Sequence, residues 1–211
     1  TKLTPENYFN TPAEANSFLT GIYAILSQPT FYGGDYMYLV AGDDLSHYGG
    51  SGRGPASTGL ICNNATTSDN AVTAFWYALY SGINRANMFL ENIDKVNGFD
   101  AGVKEQYIAE ARFLRAWFYY CLLRQYGPCV LLGDEVLPGD LDRDDVKMNL
   151  PRSSYDECVD YIVGELDDMI DNNRLPLHFT VQADKDYGRA TLAMCMGPVS
   201  YTHLRAHETG R

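Results

Sequence analysis

Three features that would point to a membrane-spanning, zinc-binding or disulfide-rich protein are missing from the sequence. No run of about 18 apolar residues is present, so no segment has the length that a helix needs to cross a bilayer. The first residues, TKLTPENYF, lack the basic and apolar regions of a signal peptide, so the chain is either intracellular or has lost a leader. The five cysteines include no Cys-x-x-Cys pair, which argues against a zinc site and a disulfide framework and favours buried thiols.

Metal ligands at suitable spacing are also lacking. His203 and His207 are four residues apart, but no Glu adjoins His203 and no third ligand lies nearby. The run DLDRDD begins like a calcium-binding loop, yet Asp145 stands where the sharp turn needs Gly and Pro151 where a bidentate Glu is needed. We therefore predict no metal and no cofactor.

Positive charge is in short supply, with 16 basic against 27 acidic residues and a net charge of −11. Because such a surface repels the phosphates of nucleic acids and anionic lipids, we expect no nucleic-acid partner. Thirteen acidic and three basic residues lie between Asp134 and Asp171, so most of the excess is found there. We interpret this stretch as a solvated acidic segment.

The spacing of apolar residues predicts helices joined by long connecting segments. Strand-like composition is confined to residues 129–132 and 179–181, and the third helix is apolar all round, so it must be covered on several sides. We predict an all-α, mainly helical fold with tetratricopeptide-like antiparallel helix pairs in an α-α superhelix with long irregular loops. The predicted helices run from a capping box at Thr11 to about Gln28, from Ser68 or Asp69 to about Asp94, from Asp100 to Gly127, from a capping box at Ser154 to Asn172, and from near Gly188 to Met196.

Side chains suited to catalysis do not form a recognisable set. Asp43 and Asp44 are adjacent carboxylates without a partner, and the run GGSGRGP at residues 49–55 lacks the Lys-Ser/Thr of a phosphate loop. No nucleophile with a base and an orienting group is visible, so we predict that the protein is not an enzyme. Trp76 and Trp117 lie within helical patterns and are predicted to be core residues.

The segment between the first two helices, residues 29–67, is rich in aromatic and small residues. Its rings alternate with glycines without helical spacing, a mixture that also dominates antibody recognition loops. Such rings could stack on apolar sugar faces while Asn and Asp bind hydroxyls; alternatively, the rings only pack the loop onto the helices. The candidate glycan-binding residues are Tyr36, Tyr38, Asp43, Tyr48, Asn63, Asn64, Asp69 and Asn70.

Several sequence blocks resemble the SusD/RagB family. They are LTPENYFNTPAEANSFLTGIY, INRANMFLENI, AEARFLRAWFYYCLLRQYG, PRSSYDECVDYIVGELDDMI and DYGRAT, and together they span about residues 1 to 193. The resemblance covers the N-terminal half of the family and implies a non-catalytic Bacteroidetes lipoprotein on the outer surface of the outer membrane. It implies binding of an oligosaccharide or polysaccharide, a SusC-like TonB-dependent transporter as partner for nutrient uptake, and a lipid anchor that is not present in this chain.

The resemblance also divides the chain. Residues 1–196 are interpreted as a truncated SusD-like N-terminal helical domain, whereas residues 197–211 resemble a translated sequencing adapter and are assigned no function. No tryptophan occurs between Asn63 and Asn70, where the starch-binding member of the family carries one, which argues against starch as the ligand. A helical-repeat scaffold that binds a protein and no glycan is the alternative function.

Overall fold

The computed structural model describes residues 9–27, 70–138, 150–178 and 188–208. These ranges contain helices and no strand, which confirms the predicted all-α class. The helices are α1 (Pro12–Leu26), α2 (Asn70–Asn92) with a 3₁₀ turn at Ile93–Lys95, α3 (Val103–Tyr126), α4 (Tyr155–Asp171) and α5 (Leu192–Glu208).

The chain divides into two compact units, of which one comprises residues 1–22 and 82–211 and the other residues 23–81. In the larger unit, α3 packs on α4, α4 packs on α5, and α3 also contacts α5. The start of the chain joins this unit through an aromatic cluster, in which the Phe18 ring lies 5.0 Å from the Phe9 ring and 6.2 Å from the Phe89 ring.

Both predicted capping boxes are confirmed. At α1, the Glu14 amide donates to Thr11 Oγ1 at 3.3 Å and the Thr11 amide donates to Glu14 Oε2 at 3.0 Å. At α4, the Glu157 amide donates to Ser154 Oγ at 3.2 Å and the Ser154 amide donates to Glu157 Oε2 at 2.7 Å. The hydrogen bonds from Ser154 hold the pKa of Glu157 below its ordinary value, because they stabilise the carboxylate.

Helix α3 is buried on all sides, as predicted, but it begins three residues later than expected. Asp100 does not open the helix; Gly102 caps it with φ 82°, a left-handed conformation that favours glycine. At the other end, the Gly127 amide donates to the Leu123 carbonyl at 3.0 Å. Gly127 has a positive φ of 72°, although its ψ of −153° lies outside the left-handed helical region.

Gly82 allows α2 to approach α3 closely. A Cβ atom at this position would lie 2.5 Å from the ring of Phe118, which is fully buried in α3. The residue at position 82 must therefore lack a side chain for the two helices to keep this separation.

Residues 129–132, whose composition favours a strand, do not form one, in agreement with the predicted all-α class. The Leu132 amide donates to the Tyr119 hydroxyl at 2.9 Å, and the Cys129 carbonyl accepts from the Ser153 amide at 2.9 Å. The other stretch of strand-like composition, residues 179–181, lies outside the described residues.

Helix α5 differs from its prediction at both ends. It begins at Leu192 rather than near Gly188, which has φ 96°, and it continues past Met196 to Glu208. Pro198 lies inside the helix and has no amide proton to donate, so one backbone hydrogen bond of α5 is missing there. The Thr202 hydroxyl donates to the Pro198 carbonyl at 2.9 Å. That residues 197–211 have no function stays a prediction.

Candidate functional site

Almost all residues predicted to bind a glycan lie outside the described ranges. This holds for Tyr36, Tyr38, Asp43, Tyr48, Asn63, Asn64 and Asp69, while Asn70 is described only as the first residue of α2. Their grouping into one site therefore stays a prediction. Along the chain, this segment is bounded by the end of α1 and the first half of α2.

An exposed tyrosine lies on the first half of α2. The Tyr77 side chain is 72% exposed, whereas the neighbouring Trp76 and Tyr80 are half-buried with ring centroids 5.0 Å apart. A tyrosine ring combines apolar faces with a hydroxyl, which suits it to contact a sugar. Sequence reasoning missed Tyr77, although its position two residues from both Phe75 and Leu79 places it opposite the apolar stripe of the helix.

Two asparagines of the block INRAN hold the segment that follows α3. The Asn84 side chain donates to the Leu137 carbonyl at 3.0 Å and accepts from the Leu137 amide at 2.7 Å. The Asn87 side chain donates to the Gly133 carbonyl at 3.0 Å and to the Glu135 carbonyl at 2.7 Å. These side chains supply the hydrogen bonds that the backbone of an irregular segment would otherwise lack.

A buried arginine of α3 extends this network. Arg115 is 3% exposed, donates from Nη1 to Asn87 Oδ1 at 2.8 Å, and forms an ion pair with Asp134. Its Nη2 donates to Glu165 of α4 at 3.3 Å. Because a charged group buried without partners is very costly, these acceptors are needed for Arg115 to lie inside the fold.

One turn earlier on α3, Arg112 binds the same face of α4. Its Nε and Nη2 each donate to Glu165 at 3.0 Å, and its Nη1 donates to Asp168 at 2.6 Å. Asp168 also accepts from Arg174 at 2.8 Å. The hydrogen bonds from Arg174 and then Arg112 hold the pKa of Asp168 below its ordinary value, because both arginines stabilise the carboxylate.

A second buried ion pair joins α3 to the segment before α5. Glu110 is fully buried and accepts from Arg189 Nε at 2.9 Å and from Gln106 at 2.9 Å. Arg189 also donates to Asn16 of α1 at 3.0 Å and lies over the Tyr107 ring at 4.9 Å from its centroid. The Arg189 guanidinium thus links α1 and α3 to the segment before α5.

These charged groups have a structural role. Arg112, Arg115 and Arg189 form ion pairs with Glu165, Asp168, Asp134 and Glu110, so their charges compensate one another within the fold. No group of three or more potential metal ligands occurs in the part of the chain that the structure describes. Within the same ranges, no helix is long and apolar enough to cross a membrane.

Comparison with known proteins identifies the family of this chain. A family model described as "Starch-binding associating with outer membrane" matches residues 3–200. The chain belongs to the SusD-like family. Among its curated relatives, SusD-like protein P2 of Formosa agariphila is 34% identical over 131 residues, covering 59% of this chain and 25% of that protein.

Solved structures share the fold. A SusD homolog from Bacteroides thetaiotaomicron has a TM-score of 0.70 and 28% identity, covering 96% of this chain and 38% of that structure. Surface glycan-binding protein A from the same species, solved in complex with laminarihexaose, has a TM-score of 0.71 and 20% identity, covering 96% of this chain and 40% of that structure. The SusD-like fold confirms the predicted tetratricopeptide-like helical architecture.

The chain spans between a quarter and two fifths of the length of these relatives. The sequence blocks that indicated the family supply the polar network: Asn84 and Asn87 come from INRAN, Arg112 and Arg115 from AEARFLRA, and Arg189 from YGRAT. These family signatures therefore maintain the packing of the helices.

Proposed function

We propose that the protein to which this chain belongs is a cell-surface, glycan-binding subunit of a SusCD-like outer-membrane uptake complex. The observation that carries the proposal is membership of a family described as starch-binding and associated with the outer membrane. The likeness to a protein solved in complex with laminarihexaose supports an oligosaccharide or polysaccharide as ligand.

The proposed glycan site combines the predicted residues between Tyr36 and Asn70 with Tyr77. Tyr77 supports this location because it is a largely exposed ring only seven residues after Asn70 along the chain. A sugar ring stacked on Tyr77 would bury apolar surface that is otherwise in water. The asparagines and aspartates of the preceding segment would then bind its hydroxyls.

The proposed role is binding without cleavage. Glycosidases use a pair of carboxyl groups flanking the scissile bond, one of which must be able to donate a proton. In the described part of the chain, Glu110, Glu165 and Asp168 instead accept hydrogen bonds from arginines and are held in ion pairs within the fold.

Calorimetric titration of the full-length protein with a glycan panel that includes laminarin and starch tests the binding. We expect one class of glycan to bind and Tyr77→Ala to weaken it by about 2- to 10-fold, the loss of one aromatic contact. Leu177→Ala is the matched control, since Leu177 is an apolar side chain that is 58% exposed in the larger unit. Absence of binding across the panel would contradict the proposal.

The proposed partner and anchor are tested in cells. We expect the full-length protein to incorporate a labelled fatty acid, to be digested by protease added to intact cells, and to copurify with a TonB-dependent transporter. A protein in the cytoplasm without lipid would instead support the alternative, a helical scaffold that binds another protein.

A further inference from the structure

The segment after α3 and the segment before α4 are joined side by side. The Ser153 amide donates to the Cys129 carbonyl at 2.9 Å, and Arg152 Nη1 donates to the carbonyls of Pro128 at 3.0 Å and Tyr126 at 3.3 Å. These three hydrogen bonds fix the backbone from Tyr126 to Cys129 relative to the start of α4. We refer to this junction, residues 126–129 with 152–153, as the α3–α4 seam.

Two cysteine sulfurs meet beside the seam. Cys129 Sγ lies 3.8 Å from the Sγ of Cys158, in the first turns of α4, and both residues are fully buried. Cys121 and Cys195 are also buried, and the Cys195 thiol donates to the Thr191 carbonyl at 3.6 Å. Among the cysteines that the structure describes, Cys129 and Cys158 are the pair whose sulfurs are in contact.

We propose that Cys129 and Cys158 form a disulfide bond in the exported protein. Bonded sulfurs are about 2.05 Å apart, so from a separation of 3.8 Å each sulfur must move by slightly less than about 1 Å. Side-chain rotation can supply such a shift, because the seam already holds the two backbones together. The proposal rests on the outer-membrane location in the proposed function, since disulfides persist in oxidising compartments outside the cytoplasm.

The bond requires an oxidant, which would be the disulfide of a thiol oxidoreductase on the export route. The thiolate of one cysteine attacks that disulfide and releases one oxidoreductase thiolate, which leaves a mixed disulfide. The thiolate of the second cysteine then attacks its partner in the mixed disulfide and releases the other oxidoreductase thiolate. The two cysteines lose two protons and two electrons, and the oxidoreductase disulfide becomes a dithiol.

The exchange must take place before α4 is packed against the seam. Burial, together with the neighbouring Cys158, raises the pKa of the Cys129 thiol to about 12, so the folded protein contains almost no reactive thiolate at neutral pH. The two sulfurs are also inaccessible to another protein once folded. The bond therefore forms during folding and afterwards resists reductants until the protein unfolds.

The test uses full-length protein isolated from the membrane fraction of cells that export it. The protein is denatured in a thiol-alkylating reagent without reductant, digested, and examined by mass spectrometry. We expect the peptides of Cys129 and Cys158 to be linked to each other, while Cys121 and Cys195, the internal controls, are alkylated. Alkylation of both Cys129 and Cys158 in membrane-associated protein would overturn the proposal and leave the glycan-binding function intact.

Two further measurements test for the bond in purified protein. Reduced, denatured protein that is refolded in a glutathione buffer should form the same link. The proposal would be overturned if the refolded protein were stable and both thiols were still free to react with the alkylating reagent afterwards. Addition of reductant during thermal unfolding should lower Tm in the wild type and in Cys121→Ser, but should leave Tm of Cys129→Ser/Cys158→Ser unchanged. An equal response in all three proteins would also count against the bond.

Discussion

The ion pair between Glu110 and Arg189 offers a quantitative test of how the fold is held together. Arg189→Met removes the guanidinium from beside Glu110, which is fully buried and also accepts a hydrogen bond from Gln106. Breaking a buried pair by removing one partner costs about 3–5 kcal/mol, because the other charge stays buried without compensation. Since Gln106 still donates to the carboxylate, we expect a loss near the lower limit, about 3 kcal/mol.

The double variant Glu110→Leu/Arg189→Met should behave differently. It removes both charges and replaces them with apolar groups of similar size, a change that is often close to neutral. We therefore expect it to recover most of the stability that Arg189→Met loses and to lie within about 1 kcal/mol of the wild type.

Urea denaturation of the full-length protein, followed by circular dichroism, measures both effects. Arg174→Met is the matched control: Arg174 is 46% exposed in its ion pair with Asp168, so its removal should cost at most about 1 kcal/mol. The reasoning would be refuted if Arg189→Met cost no more than Arg174→Met, or if the double variant lost as much stability as Arg189→Met and the single variant Glu110→Leu added together.

Further predictions concern single positions. Gly82→Ala should destabilise the protein by about 1–3 kcal/mol because its Cβ would meet the Phe118 ring, whereas Gly164→Ala, with no atom within 4 Å of the added Cβ, should stabilise it by about 0.5–1 kcal/mol; the opposite order of urea midpoints would contradict this. Asn84→Ala removes both hydrogen bonds to Leu137, so hydrogen exchange at the Leu137 amide should accelerate, and an unchanged rate would show that the segment is held by other contacts. Ser154→Ala should cost about 1 kcal/mol through the lost cap, with Ser154→Asp as the control that keeps an acceptor there. Because the folded pKa of Asp168 is lowered, its contribution is complete above its ordinary pKa and is lost as the pH falls below about 4; Asp168→Asn should reduce this decline in Tm, and an identical decline would refute the assignment.

Local interactions account for the parts of the fold that sequence reasoning predicted correctly. The capping boxes at Thr11 and Ser154 join residues three positions apart, so their pattern is visible in the sequence and confirmed in the structure. The buried surroundings of α3 follow from apolar side chains on every side of the helix. The start of α3 was misplaced, since the left-handed conformation of Gly102 is a backbone property that spacing does not reveal.

The polar network could not be predicted in the same way. Asn84 interrupts the apolar stripe of α2, and helical spacing cannot predict its partner, because Leu137 lies 53 positions away. The contact between Cys129 and Cys158 was equally hidden, since it depends on how α4 returns to the seam. The candidate glycan residues rest on composition and family resemblance, and only Tyr77, on the described part of α2, adds a structural observation to them.

The α3–α4 seam has a consequence for protein engineering. Because hydrogen bonds from Arg152 and Ser153 tie the end of α3 to the start of α4, an insertion between positions 139 and 149 should leave these two helices in place. Each doubling of the length of a loop costs only about 0.6 kcal/mol in closure entropy. An epitope tag or a fluorescent reporter inserted there would therefore report where the protein is located.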